Sequence, residues 1–303
     1  VSDSAPSVVC IGVFDGVHRG HRALLNEGRR QADERGVPLV ALTFDPHPQA
    51  VVGAGAAPPT LASMDQRREL LLAAGADRVD VLSFDESVAS MSPEDFIRAE
   101  LVERRGARAV VVGEDFRFGR GARGSLETLQ EQGSQWGFTA TGVALAGAPD
   151  GERWSSTRIR ALLEAGDVAA AASVLGRPYA LRGTVVHGDH RGRDLGYPTA
   201  NLGWDGTPAI PADGVYAGWL VRGDERLPAA VSVGTNPQFD GLERRVESYV
   251  LGRDDLDLYG QSVTVEFVAR LRGQATFSSV QDLVDQMARD VTEAAAALGV
   301  RQP

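Results

Sequence analysis

Between Gly12 and His21 the chain reads Gly-Val-Phe-Asp-Gly-Val-His-Arg-Gly-His, two imidazoles three positions apart behind a run of glycines. Glycine lets a backbone turn sharply and approach a ligand closely. A helix opening out of such a turn offers unpaired N–H groups and the positive end of its dipole to an anion. At this spacing on a helix, His18 and His21 reach the same phosphate. Neither has to be a base, because hydrogen bonding to the charge developing on a nucleotide's α-phosphate is enough. Gly12, Phe14 and Gly16 are the ATP- and phosphate-contacting candidates of this loop. The competing readings are a glycine-rich turn with two surface histidines, and a histidine metal site, which would need a third histidine or a carboxylate in pattern. A second cluster is Trp154-Ser155-Ser156-Thr157-Arg158-Ile159-Arg160. Ser155, Ser156 and Thr157 suit the start of a helix that would run to Ala165. Arg158 and Arg160 bring guanidinium groups there, which grip phosphate oxygens with paired donors. A capped, solvated helix is the plain alternative.

Further along, Gly183 to Leu202 reads Gly-Thr-Val-Val-His-Gly-Asp-His-Arg-Gly-Arg-Asp-Leu-Gly-Tyr-Pro-Thr-Ala-Asn-Leu. A strand runs into a loop rich in glycine and arginine, whose amides can cradle phosphate. Gly183, Gly188, Arg191 and Gly196 are its ATP- and phosphate-binding candidates. Thr199 and Asn201 offer neutral oxygens of the kind Mg²⁺ accepts while keeping several waters. Ser232-Val233-Gly234-Thr235-Asn236-Pro237 and Arg244-Arg245-Val246-Glu247-Ser248-Tyr249 follow. Glu247 stands in an apolar, β-branched run, sharing a strand face with Arg245 and Tyr249. It is either an exposed alternating position or a general base taking a proton from a substrate hydroxyl, a role worth typically about 10²–10⁴ in rate.

Two kinds of element must hold these residues. The first half alternates. Strand-like runs at Val8–Val13, Leu39–Phe44, Val79–Phe84 and Ala109–Gly113 are separated by helical ones at Arg22–Arg35, Met64–Ala74, Ser92–Arg105 and Ser125–Trp136. That order predicts a parallel sheet with helices on both faces, which binds ligands beyond the C-terminal ends of its strands. The second half holds β-like runs at Leu181–His187, Val215–Val221, Ala229–Val233, Arg245–Leu251 and Val263–Leu271, several of them alternating, which predicts an antiparallel barrel or sandwich. An amphipathic helix closes the chain, with Val280, Leu283, Val284, Met287 and Val291 as its apolar stripe. Gly-Arg-Pro-Tyr at 176–179 marks the boundary, giving domains 1–176 and 177–303.

Composition narrows the chemistry. At 303 residues the chain is long for one core and comfortable for two. Its formal charge of -10 disfavours nonspecific binding to nucleic acid or an anionic membrane. All 31 basic side chains of the Lys+Arg class are arginine, so a P-loop lysine and a Schiff-base lysine are both excluded. Its one cysteine, Cys10, reads as a buried strand residue. A lone thiol fits a reducing compartment, and no secretory signal or spanning segment is read, so a cytoplasmic setting is expected.

The paired histidines and the Ser/Thr-Arg loop together resemble the nucleotidyltransferase superfamily. Thr43-Phe44-Asp45-Pro46-His47-Pro48 and Val112-Gly113-Glu114-Asp115-Phe116-Arg117-Phe118-Gly119 narrow the resemblance to the adenylyltransferase half of the bacterial bifunctional riboflavin kinase/FAD synthetases. The Gly183–Leu202 stretch, the run around Glu247 and Asp257-Leu258-Tyr259-Gly260 resemble the riboflavin kinase half. The resemblance implies an N-terminal Rossmann-like nucleotidyltransferase domain with a parallel sheet and a C-terminal six-stranded antiparallel β-barrel with a terminal helix. It implies two ATP-dependent steps, riboflavin to FMN and FMN to FAD, with Mg²⁺ as cofactor. His18, His21 and Arg158 would serve adenylyl transfer, and Glu247 would be the kinase base. Asp45, His47, Asp115, Phe116, Phe118, Asn236 and Arg245 would lie at flavin, and Thr199 and Asn201 at the metal. The partners implied are small molecules, not nucleic acid or membrane, with weak homo-oligomerisation left open. A flavin carrier without catalysis, and a nucleotidyltransferase for another phosphate-bearing acceptor, are the alternatives.

Overall fold

The computed structural model describes residues 5–53, 55–144, 147, 151–188, 196–235 and 244–301. They fall into two compact units. One comprises residues up to 59 together with 64–156, the other residues 60–63 together with 157 onward.

The first unit is built on β1 (Ser7–Ile11), every residue of which is buried. It pairs in parallel with β2 (Leu39–Asp45) on one side and β4 (Ala107–Gly113) on the other. Strand β3 (Arg78–Ser83) extends the sheet beyond β2, and β5 (Thr139–Val143) beyond β4, giving the order β3-β2-β1-β4-β5. Near-continuous apolar strands such as Val-Val-Cys-Ile and Leu-Val-Ala-Leu need cover on both faces. Helix α1 (Arg19–Arg35) supplies it on one face through Leu24, Leu25 and Ala32. On the other face, α6 (Leu126–Trp136) contributes Leu129, and a helix starting at Pro93 contributes Phe96, Ile97 and Leu101. Each fully buried side chain of this kind is worth about 1.5–3 kcal/mol. Cys10 is buried among them, which pushes its thiol pKa up.

The expected helix from Ser92 to Arg105 is not a single α-helix. Its first turn, α5 (Pro93–Phe96), gives way to a π-helical stretch over Ile97–Glu103. Several pieces escaped the sequence reading altogether: β5, the short helices α2 (Pro48–Val52) and α4 (Glu86–Ala89), and the strand β7 described below. Helix α3 (Met64–Ala73) falls where the pattern put it.

In the second unit, α7 (Ser156–Ala165) and α8 (Val168–Leu175) precede six strands: β6 (Tyr179–Val186), β7 (Thr199–Gly203), β8 (Gly214–Arg222), β9 (Glu225–Thr235), β10 (Arg244–Val250) and β11 (Ser262–Arg272). They close into an antiparallel barrel in the order β10-β7-β6-β11-β8-β9. Closure leaves no unpaired strand edge. Alternation fills it: Val246, Ser248 and Val250 of β10 are buried while the residues between them are only partly so. Helix α9 (Val280–Leu298) packs on β8, β9 and β11. Of the expected stripe, Leu283, Val284, Met287 and Val291 are partly buried, whereas Val280 is 64% exposed, and the fully buried positions are Asp290, Ala294 and Ala295. Asp290 is drawn in because Arg272 of β11 holds it as an ion pair.

Candidate active sites

The parallel sheet reverses its winding between β1 and β4, and the loop after β1 therefore opens at the switch point where such sheets take their ligands. That loop is tight and strained. Gly16 lies at φ 80°, and the non-glycine residues Phe14 and Val17 also have positive φ, 54° and 39°. A branched residue in that region is held by its surroundings at a cost of about 1–3 kcal/mol. Val17 N–H donates to Phe14 O at 3.1 Å, closing the turn. His18 then caps α1, its Nδ1 accepting from His21 N–H at 3.4 Å. The two imidazoles stack with centroids 3.6 Å apart, and Phe14 meets His21 edge-on at 5.2 Å. Phe14 is fully buried, so it backs the His21 ring.

Beneath the loop lies a pair that sequence reasoning missed. Asp15 and Arg67 are both nearly fully buried, with a guanidinium nitrogen 3.6 Å from the carboxylate. Arg67 also donates to Phe44 O at 3.4 Å, and Thr43 Oγ1 donates to Val13 O at 2.8 Å. The only sequence signal was an arginine on the buried face of α3, among Gln66 and Leu71. Ser156, the first residue of α7, donates its hydroxyl to Asp15 O at 2.8 Å. Ser155 and Ser156 are partly buried, Thr157 is exposed, and Arg158 and Arg160 are partly buried within α7.

At the neighbouring strand ends, Asp45 is exposed as the last residue of β2, and His47 caps α2 by accepting from Gln49 N–H at 3.1 Å. After β4, Asp115 forms an exposed ion pair with Arg153. Phe116 stacks on Phe118 at 5.6 Å, and Phe118, 7% exposed, packs on Phe96 in the core. Of these two rings Phe116 is the accessible one.

The barrel carries the second constellation. Register sets Glu247 of β10 opposite Asn201 of β7, and Tyr249 opposite Thr199. Cross-strand partners share a face. Thr199 Oγ1 accordingly donates to Glu247 Oε2 at 3.3 Å. Arg245 lies two residues before Glu247 on the same face. Tyr197 meets Tyr249 edge-on at 5.1 Å, and burial raises the Tyr249 phenol's pKa. A cavity at this end of the barrel is lined by Val185, Thr199, Asn201, Val250, Leu258 and Tyr259, and Tyr259 stacks on His187 at 4.1 Å. Gly188 lines the same cavity, and Gly196 has φ 84°. Gly183 stands inside β6, where any side chain would meet the carbonyl of Gly203 at 2.1 Å, so its smallness serves strand packing. Arg191 and Asn236 lie outside the described residues.

Thr199, Asn201 and Glu247 form a hard-oxygen donor set of one hydroxyl, one carboxamide and one carboxylate, which fits Mg²⁺. Among the described residues, no group of three or more His, Cys, Asp and Glu stands together as metal ligands, and no helix is long and apolar enough to cross a membrane.

Comparison with known proteins covers nearly the whole chain. Residues 1–158 match the family model described as FAD synthetase, and residues 175–298 match that of riboflavin kinase. A bifunctional riboflavin kinase/FMN adenylyltransferase of Escherichia coli K12 is 36% identical over 297 residues, spanning 98% of this chain and 94% of the relative. The protein of the same description from Bacillus subtilis 168 is 32% identical, spanning 96% and 92%. A crystal structure described as a macrolide-efflux protein from Streptococcus pneumoniae superposes with a TM-score of 0.86 at 33% identity, covering 96% of this chain and 93% of that one.

Proposed function

The chain belongs to the bifunctional riboflavin kinase/FMN adenylyltransferase family, and from that premise we propose which of its residues carry each half-reaction. It phosphorylates riboflavin to FMN and joins FMN to the AMP moiety of ATP to make FAD.

Riboflavin phosphorylation is assigned to the barrel. Glu247 takes the proton of the 5′-hydroxyl as that oxygen bonds to the γ-phosphorus of ATP, and the bond to the β-phosphate oxygen breaks to release ADP. Thr199 and Asn201 would hold Mg²⁺, which when bound neutralises charge on the phosphate oxygens. Gly188, Arg191 and Gly196 are assigned to the phosphates, with Gly183 in the strand leading to that loop, and Asn236 and Arg245 are assigned to the flavin. The observation that supports this reading is the 3.3 Å contact between Thr199 Oγ1 and Glu247 Oε2, which joins two side chains on adjoining strands, the one assigned to the metal and the other as base.

Adenylyl transfer is assigned to residues 1–176. FMN's phosphate is itself an anion and attacks the α-phosphorus of a second ATP, expelling pyrophosphate, so no protein nucleophile is needed. His18, His21, Arg158 and Arg160 stabilise the charge on the phosphates, with Gly12, Phe14, Gly16, Ser155, Ser156 and Thr157 shaping their cradle. Asp45, His47, Asp115 and Phe116 are assigned to the flavin side, with the expected Phe118 instead behind Phe116 in the core. ATP use in both steps suits the cytoplasm, and the partners are small molecules.

The separating experiment is Glu247→Ala. Riboflavin phosphorylation is expected to fall by about 10²–10⁴, while FAD formation from supplied FMN stays at the unmodified level. Loss of both steps together in a folded variant would overturn the division of labour.

A further inference from the structure

Glu247 has neighbours on two sides, and the nucleotide accounts for one of them. Toward β7 stand Thr199 and Asn201, the oxygens assigned to metal and phosphate. Toward β9 the register partner of Glu247 is Ser232, which is half-buried on the same face. In phosphoryl transfer the attacking and leaving oxygens are roughly in line across the phosphorus. A donor on the β7 side therefore sends its acceptor away from β7, toward β9.

That side is furnished. Gln274, in the segment after β11, donates from Nε2 to Val233 O at 2.7 Å and lies 3.5 Å from Ser232 Oγ. It reaches this place because residue 234 is glycine: a Cβ there would lie 2.7 Å from Gln274 Nε2. With Nε2 committed to the Val233 carbonyl, the planar carboxamide leaves its Oε1 available as an acceptor. Strands are about 4.8 Å apart, so Ser232 and Gln274 begin one strand spacing from the carboxylate that receives the 5′-hydroxyl proton. The secondary hydroxyls of a ribityl chain anchored at that carboxylate fall within the same reach.

We propose that Ser232 and Gln274 form the polyol-binding edge of the kinase site, taking the secondary hydroxyls of riboflavin's ribityl chain and so holding the 5′-hydroxyl in line with the γ-phosphate. The assignment rests on Glu247 being the base of the kinase step.

The test is kinase kinetics with riboflavin and with an analogue whose chain at N10 is 5-hydroxypentyl, which keeps the phosphate acceptor and lacks the other hydroxyls. The unmodified enzyme should prefer riboflavin. Ser232→Ala and, separately, Gln274→Met should each raise KM for riboflavin about tenfold and shrink that preference, since one hydrogen bond carries roughly this much. KM for ATP and FAD formation from supplied FMN should not move. Variants that keep the full preference overturn the proposal, as do variants in which KM for ATP rises in step with that for riboflavin, which marks a structural role. Glu247→Ala is run beside them. If it is inactive while the variants discriminate as the unmodified enzyme does, only the polyol edge is wrong. If it phosphorylates riboflavin at the unmodified rate, the base assignment falls and takes this inference with it.

Discussion

His18 and His21 depend on each other for position. His18 ends the loop by capping α1 with its own imidazole, and His21 stacks on it at 3.6 Å from the first turn of that helix. Their spacing was legible because helical periodicity is local, so an i,i+3 pair behind glycines implies a shared face. The Asp15–Arg67 pair beneath them was not legible, because the sequence holds no link between a loop aspartate and an arginine on α3. Phe14 and Phe118 illustrate the same limit: an aromatic in a motif does not say whether its ring faces ligand or core, and both are buried here. On the proposed role of the imidazoles in stabilising developing charge, His21→Ala should lower FMN adenylylation by about 10²–10³ and leave riboflavin phosphorylation intact. Measuring both half-reactions on the same preparation checks this, and an equal loss in both would count against it.

Strong apolar runs made most strands readable, and weak ones hid the rest. Strand β5 reads Thr-Ala-Thr-Gly-Val, and β7 reads Thr-Ala-Asn-Leu-Gly, neither of which holds the run of large apolar residues that marked the other strands. The π-helical stretch was hidden for another reason. Arg105, nearly fully buried, donates to Glu100 Oε2 at 2.8 Å and to Asp80 Oδ2 at 3.0 Å, tying that stretch to β3. Arg105→Met leaves the buried Glu100 paired with the exposed Arg104 and should destabilise the protein by about 1.5–3 kcal/mol, read from the midpoint of urea unfolding. Unchanged stability would show that the network contributes little. On the same sheet, Asp77 accepts from Leu39 N–H and from Arg29, both at 2.7 Å. The Leu39 amide, and then Arg29, hold its pKa below the usual carboxylate value. A lowered acid stabilises the fold above its unfolded pKa and loses that contribution as pH falls through the folded value. The stability gap between the unmodified protein and Asp77→Ala should therefore be full at neutral pH and shrink below about pH 4. A gap that grew on acidification would contradict the sign.

At the scale of the molecule, strand–helix alternation in one half and antiparallel runs in the other were enough to read a parallel α/β sheet and an antiparallel barrel or sandwich, and the family resemblance pointed to the barrel that is found. The small segment 60–63 that belongs with the second unit was invisible, since Pro208, with which Thr60 pairs, is distant in sequence. With a charge of -10 and arginine as the sole basic side chain of the Lys+Arg class, the permanently charged side chains open to phosphate are guanidinium groups, beside imidazoles and backbone amides. Two such cradles are what a sequential synthesis needs, and the order of products follows, because the second step consumes what the first releases. The most direct measurement is a time course of flavins after the purified protein receives riboflavin, ATP and Mg²⁺. FMN should rise first and then give way to FAD as pyrophosphate accumulates. A folded protein that leaves riboflavin unphosphorylated, and leaves supplied FMN without its adenylyl group, would contradict the account.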